Sequence, residues 1–148
     1  MLVIGIDPDS NKHGVAVYRD GSLCELLNLN TIQLYKHITD NEKIALSNGE
    51  IVIHMENPKG MKGVFSQRTG FGKSQDLMIG QKVGMCKQAQ TSVEQMADEL
   101  DIKVVLHKNS QSWKKGNNKK LFERITGWTG RSNEDTRSAA YFGYLGCK

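Results

Sequence analysis

Apolar residues recur in short blocks divided by polar, glycine-bearing turns, and the block lengths favour strands early in the chain and helices later. Residues 2–6 form a continuous apolar run that ends at Asp7-Pro8, and 14–18 (GVAVY) follow after a polar turn. Asp20-Gly21 is a hairpin signal, so 23–29 reads as a third strand. Thr31 is placed to cap a helix over 32–46, with Ile32, Tyr35, Ile38 and Leu46 along one side. Asn48-Gly49 stops it, and 51–55 forms a fourth strand that delivers Glu56. Residues 57–74 hold four glycines and read as a mobile loop. A long helix over 75–100, a strand over 103–107, an irregular stretch over 109–118, a helix over 119–125 and a last helix over 133–145 complete the pattern. The order predicts an α/β fold: a mixed five-stranded sheet flanked by helices.

The length of 148 residues suits one domain spanning 1–148, with no room for a second core of useful size. No apolar run approaches the roughly 18 residues of a membrane span, and the first run is too short for a signal-peptide core. Three cysteines, Cys24, Cys86 and Cys147, are widely spaced and form no CxxC pair. That argues against a disulfide framework or zinc site and for an intracellular setting.

The net charge of +4 hides an asymmetry. Residues 1–58 carry four Lys/Arg against eight Asp/Glu, whereas 59–120 carry twelve against five. A basic middle on an acidic frame suits an enzyme that holds phosphates with one region and metal with the other. A solvated basic surface without a partner would show the same balance.

Three carboxylates stand where elements end: Asp7 after the first strand, Glu56 after the fourth, and Asp135 in the first turn of the last helix. Should strands one and four be neighbours, Asp7 and Glu56 converge at one sheet edge. Like charges held together are costly unless a cation lies between them. Oxygen donors alone favour Mg²⁺ or Mn²⁺ over zinc. Two such ions about 4 Å apart can activate water and stabilise the leaving oxygen of a phosphodiester. Taken singly, each acid also reads as a turn residue or as compensation for a helix dipole.

The motifs decide between these readings. The run IGIDPDSNKHGVA over 4–16 resembles the opening of RuvC-type Holliday-junction resolvases, in which a catalytic aspartate ends strand one and a glycine seven residues later opens strand two. Asp9 stands where that family usually has glycine. Ile53-His54-Met55-Glu56-Asn57 resembles the family's second acidic motif. Residues 77–84 (LMIGQKVG) resemble its helix signature, with Gly80 and Gly84 one turn apart. Residues 133–140 (NEDTRSAA) resemble its closing motif of two acids three residues apart; Asp135 matches the first, and Ser138 occupies the second.

The resemblance spans about 5–145 and implies a ribonuclease H-like fold and a metal-dependent endonuclease for branched DNA, most plainly four-way junctions. It implies Asp7, Glu56 and Asp135 as catalytic metal ligands for Mg²⁺ or Mn²⁺, two ions per site, with Ser138 and Glu134 as weak further ligands. Lys59, Lys62, Arg68 and Lys73 lie in the loop after Glu56, and Lys108, Lys114, Lys115, Lys119 and Lys120 precede the last helix; both groups are candidate phosphate contacts. Phe65 is the candidate wedge at a junction centre, with Phe71 beside it. One lysine of the second group is expected near the metals, though sequence does not say which. Trp113 reads as core or stacking, Trp128 and Cys86 as core, and His54 as a residue behind the site. Paired cleavage of a two-fold junction implies a homodimer, with the glycine-bearing face of the long helix as the candidate contact. The small size and lean loops suggest a phage-type or organellar version. Two alternatives stay open: a nuclease of the same fold acting on flaps, forks or RNA–DNA hybrids, or a catalytically weak junction-binding protein.

Overall fold

The computed structural model describes residues 1–60 and 73–148, apart from the side chains of 42–48, 73–76 and 79. Lys62, Phe65, Arg68 and Phe71, and the side chains of Lys73 and Leu46, lie outside the described residues. The elements run β1 (Leu2–Asp7), β2 (His13–Arg19), β3 (Ser22–Leu29), α1 (Thr31–Asn48), β4 (Ile51–Glu56), α2 (Lys73–Glu99), β5 (Lys103–His107), α3 (Lys119–Thr126) and α4 (Glu134–Gly146). The strands form a mixed sheet in the order β3-β2-β1-β4-β5. The hairpin strands β1, β2 and β3 pair antiparallel, while β4 and β5 extend the sheet from β1 in parallel. The α/β sandwich expected from the sequence is therefore present, with β1 and β4 adjacent.

Strand side chains alternate faces, and that alternation divides the core in two. Leu2, Ile4 and Ile6 of β1, Val15 and Val17 of β2, and Ile51, Ile53 and Met55 of β4 pack with Leu34 and Ile38 of α1 and Val93, Met96 and Ala97 of α2. On the opposite face Val3, Ala16 and Tyr18 pack with Ala139 and Ala140 of α4, with Phe122 of α3 and with Trp113. The α4 helix lies close to the sheet because Gly5 has no side chain: a Cβ there would collide with the Ala139 carbonyl and come within 2.6 Å of the Gly143 nitrogen. The Tyr18 hydroxyl, buried beneath α4, donates to the Ala140 carbonyl at 2.8 Å.

Two expectations for α1 are corrected. Its buried stripe is Leu34 and Ile38, whereas Ile32 is 80% exposed and Tyr35 43%. The cap is Asn30, not Thr31: Asn30 Oδ1 accepts from the Gln33 backbone N–H at 2.8 Å, and Gln33 Oε1 accepts from the Asn30 N–H at 3.0 Å. This reciprocal pairing satisfies two groups at the helix start. The loop expected over 57–74 is also shorter at both ends. Residues Pro58–Gly60 form a 3₁₀ turn and α2 begins at Lys73. Gln90, fully buried in α2, holds that turn by accepting from the Lys59 N–H at 2.9 Å and donating to Asn57 Oδ1 at 3.0 Å. Among the described residues no helix is long and apolar enough to cross a membrane.

Candidate active site

Strand parity brings the first two acids together. Asp7 follows Val3 and Gly5 on the α4 side of β1, and Glu56 follows Val52 and His54 on the same side of β4. The parallel register pairs Ile6 with Met55, so Asp7 and Glu56 occupy the next positions on adjacent strands. Both are buried. The third acid arrives from α4, whose first turn crosses the start of β2. Gly14, paired with Asp7 in the β1–β2 register, lies under that turn, and a Cβ at Gly14 would collide with the Asp135 carbonyl. Asn133 fixes the same turn by a capping box, with Oδ1 accepting from the Thr136 N–H and Thr136 Oγ1 accepting from the Asn133 N–H, both at 2.9 Å. Asp135 is half-buried beside Asp7.

The β1–β2 loop is anchored from behind. His13 is buried, and its Nδ1 accepts from the Asp9 N–H at 3.1 Å while Nε2 lies 2.8 Å from Thr31 Oγ1. With Nδ1 accepting, the proton resides on Nε2 and is donated to Thr31. Burial lowers the His13 pKa and keeps the ring neutral, against the pull of Asp9 and Asp7.

Among the described residues, one cation enters the acidic cluster. Lys114 Nζ lies 3.2 Å from Asp7 Oδ2, the lysine side chain 23% exposed and the aspartate 5%. Burial opposes the lysine's charge, but Asp7, then Glu56 and Asp135, hold its pKa above the ordinary value. Lys114 alone does not neutralise three carboxylates. Burial, then the Asp7 charge, pushes the Glu56 carboxyl up to about 7, with Lys114 and a hydrogen bond from the Ser110 backbone pulling the other way. Asp135 is raised by burial and then by Asp7, with Lys114 again offsetting.

No family model matches the sequence, and no curated protein sequence matches it. Solved structures do. A Thermus thermophilus RuvC in complex with Holliday junction substrate superposes with a TM-score of 0.55 at 17% identity, covering 97% of this chain and 91% of that one. A second Thermus thermophilus RuvC structure gives 0.54 at 16%, covering 97% and 92%. The chain has the RuvC fold. The ribonuclease H-like architecture expected from the sequence motifs is thereby established.

Within this RuvC fold, the residues singled out in the sequence are placed differently. Asp7, Glu56, Asp135 and Lys114 are brought together. Ser138, one turn along α4 from Asp135, is 1% exposed, and its Oγ has no hydrogen-bond partner among the described residues. Glu134 is exposed on the helix surface. Lys108, Lys115, Lys119 and Lys120 are exposed, and Lys119 sits 3.7 Å from Glu123. Lys59 is engaged with Glu94 at 3.1 Å, so its ammonium is partly committed. Trp113 is buried, whereas Trp128, expected in the core, is only half-buried and donates to the Arg131 carbonyl at 3.1 Å. His54 shares the Glu56 face of β4 and pairs with His107, Nδ1 to Nε2 at 2.8 Å. Cys86, expected in the core, is half-buried within the field of Asp9, Asp7 and Glu56; burial first, then those acids, raise its thiol pKa. Gly84 faces open space, with Leu77, Met78 and Met85 exposed nearby on α2.

Among the described residues, no three His, Cys, Asp or Glu are drawn in closely enough to enclose an ion in this arrangement. The donor chemistry nevertheless fits a hard divalent cation. Asp7 and Glu56 are near enough to share a hydrogen bond when one is protonated, and the orphaned Ser138 hydroxyl lies one turn beyond Asp135. A divalent ion between these carboxylates would offset the Asp7 charge that, after burial, raises the Glu56 pKa, and so would stabilise the cluster.

Proposed function

We propose that this chain is a divalent-metal-dependent endonuclease that cuts branched DNA, with the four-way junction as substrate. The observation that carries the reading is the convergence of Asp7, Glu56 and Asp135, with Lys114 against Asp7, at one end of the sheet in a RuvC fold. The Holliday junction substrate held by the structurally similar Thermus thermophilus RuvC supports the choice of branched DNA.

In this reading Asp7, Glu56 and Asp135 hold the metal, with Ser138 contributing at most a neutral oxygen. Bound Mg²⁺ or Mn²⁺ would supply an activated water and stabilise the departing oxygen. The protein's own contribution begins with proton release, since the Glu56 carboxyl at about 7 must ionise before it can ligate. Lys114 balances charge beside Asp7 and is the one lysine of its group placed to meet a scissile phosphate. Exposed Lys108, Lys115, Lys119 and Lys120 hold flanking phosphates, and Lys62, Arg68 and Lys73 serve the same end from the 57–74 segment. Phe65 stacks at the branch point. Two chains act as a two-fold dimer through the exposed α2 face bearing Leu77, Gly84 and Met85, so that paired strands are cut.

End-labelled four-way junctions, flaps, forks and RNA–DNA hybrids incubated with and without Mg²⁺ or Mn²⁺ test the proposal. Junction-selective, metal-dependent nicking is expected, and Asp7→Asn should abolish it while binding stays intact or tightens. Undiminished cleavage by Asp7→Asn would remove Asp7 from the site. The buried, uncharged Ser138 favours a second reading, a junction binder with feeble catalysis; retained binding with no turnover on any branched substrate selects it.

A further inference from the structure

Arg137 plays no part in the account so far, yet it is 5% exposed and lies two residues beyond Asp135 on α4. Its Nε donates to the Trp113 carbonyl at 2.9 Å, its Nη2 to the Lys114 carbonyl at 2.9 Å, and its Nη1 to Ser132 Oγ at 3.2 Å. Among the described residues it forms no ion pair. A guanidinium buried away from any carboxylate is tolerated only when its donors are met. Here the planar fork meets two consecutive backbone carbonyls, a geometry that a lysine ammonium does not reproduce.

What the fork holds is an unusual piece of chain. Trp113 has φ 64 in the left-handed region, which is unfavourable for a bulky side chain and persists only where the surroundings enforce it. Its ring is wedged among Phe122, Tyr141 and Tyr144, at centroid distances of 5.6, 5.5 and 5.3 Å. The next residue, Lys114, turns inward to Asp7, while Lys115 remains exposed. Strained backbone enforced from two sides, directly before a lysine that enters the acidic cluster, is what a pre-organised site requires.

We propose that Arg137 is a positioning residue for Lys114: by clamping the Trp113 and Lys114 carbonyls it sets the Lys114 ammonium against Asp7. The inference rests on the nuclease reading above for its catalytic consequence, though not for its geometry. One helix then controls both partners. Asp135 projects from the first turn of α4 and Arg137 follows it, so the acid and the ammonium are set relative to the same element.

The test uses the full chain and two independent readouts. In single-turnover cleavage of a labelled four-way junction, Arg137→Ala should slow the chemical step by about 10²-fold, the scale of a displacement near 1 Å, with junction affinity within about twofold of wild type. Lys114→Ala should be comparably slow, and the double variant no slower than Lys114→Ala alone, because Arg137 acts through the lysine. Millimolar guanidinium ion should partly restore Arg137→Ala and leave Lys114→Ala unchanged. Independently of activity, NMR of the lysine ammonium groups should show a slowly exchanging Lys114 signal in wild type that is lost in Arg137→Ala. Arg137→Lys, which retains charge but cannot bridge both carbonyls, should weaken that signal and give an intermediate rate; it decides the matter should Arg137→Ala fail to fold. A full additional loss in the double variant, or a Lys114 signal unchanged by either Arg137 variant, overturns the inference. A wild-type chain that cuts nothing overturns the nuclease reading alone, since the NMR arm still judges the clamp.

Discussion

Glu56→Gln should make the metal-free protein more stable at neutral and alkaline pH while destroying its proposed activity. The Glu56 carboxyl lies at about 7 against an ordinary 4.5, chiefly because it is buried and then because Asp7 is its neighbour. A folded-state pKa above the unfolded one means that the folded chain binds the extra proton between those two values. This group's favourable contribution is therefore complete below about pH 4.5 and is lost as the pH climbs through 7. At about 1.4 kcal/mol per unit, the shift corresponds to roughly 3 kcal/mol, an upper bound because water reaches the open side of the site. Asp135, shifted in the same direction, adds to the slope. Replacing Glu56 with a neutral isostere removes the ionisation cost, so the variant should gain on wild type with rising pH. For a chain of this size the gain amounts to about 4–10 °C in melting temperature near pH 8 and little near pH 4.5. Thermal melts across that range in chelator provide the measurement. Adding Mg²⁺ or Mn²⁺ at pH 8 should then raise the wild type and leave Glu56→Gln nearly unmoved, because the ion binds only a charged site. Parallel pH profiles for the two proteins would show that the acids do not repel one another as described.

Gly14 and Ser138 carry predictions from the geometry, and Phe65 carries one from the sequence resemblance. Gly14→Ala should lift the first turn of α4 off β2, lowering the melting temperature and cutting junction cleavage by about 10²-fold; wild-type kinetics in this variant would mean that the Asp135 turn does not depend on that close approach. Ser138→Ala should leave the metal-free protein as stable or more so, since a buried hydroxyl without a partner costs about 1–3 kcal/mol. Ser138→Asp should destabilise it in chelator yet lower the Mg²⁺ requirement, and a large gain in rate would mark the natural site as weakened. Phe65→Ala should reduce junction cleavage with duplex affinity nearly unchanged, as stacking is worth about 1–3 kcal/mol per base; cleavage at the wild-type rate would dispose of the wedge.

Much of this fold was legible because its strands are short, apolar and punctuated by Asp-Gly and Asn-Gly turns. Asp7 and Glu56 were legible for a related reason: each ends a strand, and side-chain parity then fixes the face. The α1 helix was misread because Ile32 and Tyr35 keep helical spacing with apolar partners while pointing to solvent; the true signal was Asn30 followed three residues later by Gln33. Lys114 was not separable from its neighbours, since its inward turn depends on the φ of Trp113 and on a bond from α4. Arg137 was hidden for the same reason. The two carbonyls that it clamps lie more than twenty residues upstream, and no local pattern encodes such a clamp.

The pairing of β1 with β4 also sets limits on how this protein can vary. A structure of the same fold matches 97% of the chain at 17% identity, so the fold itself does not demand most of these residue types. Length within these two strands has no such freedom. Inserting or deleting one residue inside Leu2–Asp7 or Ile51–Glu56 would rotate the terminal acid to the opposite face, towards α1 and α2 and away from Asp135. Substitutions can accumulate gradually along β1 and β4, but a single codon gained or lost there would separate the acids at once. Variation in length is better accommodated in the connections between strands, where a gained or lost residue does not reverse strand parity.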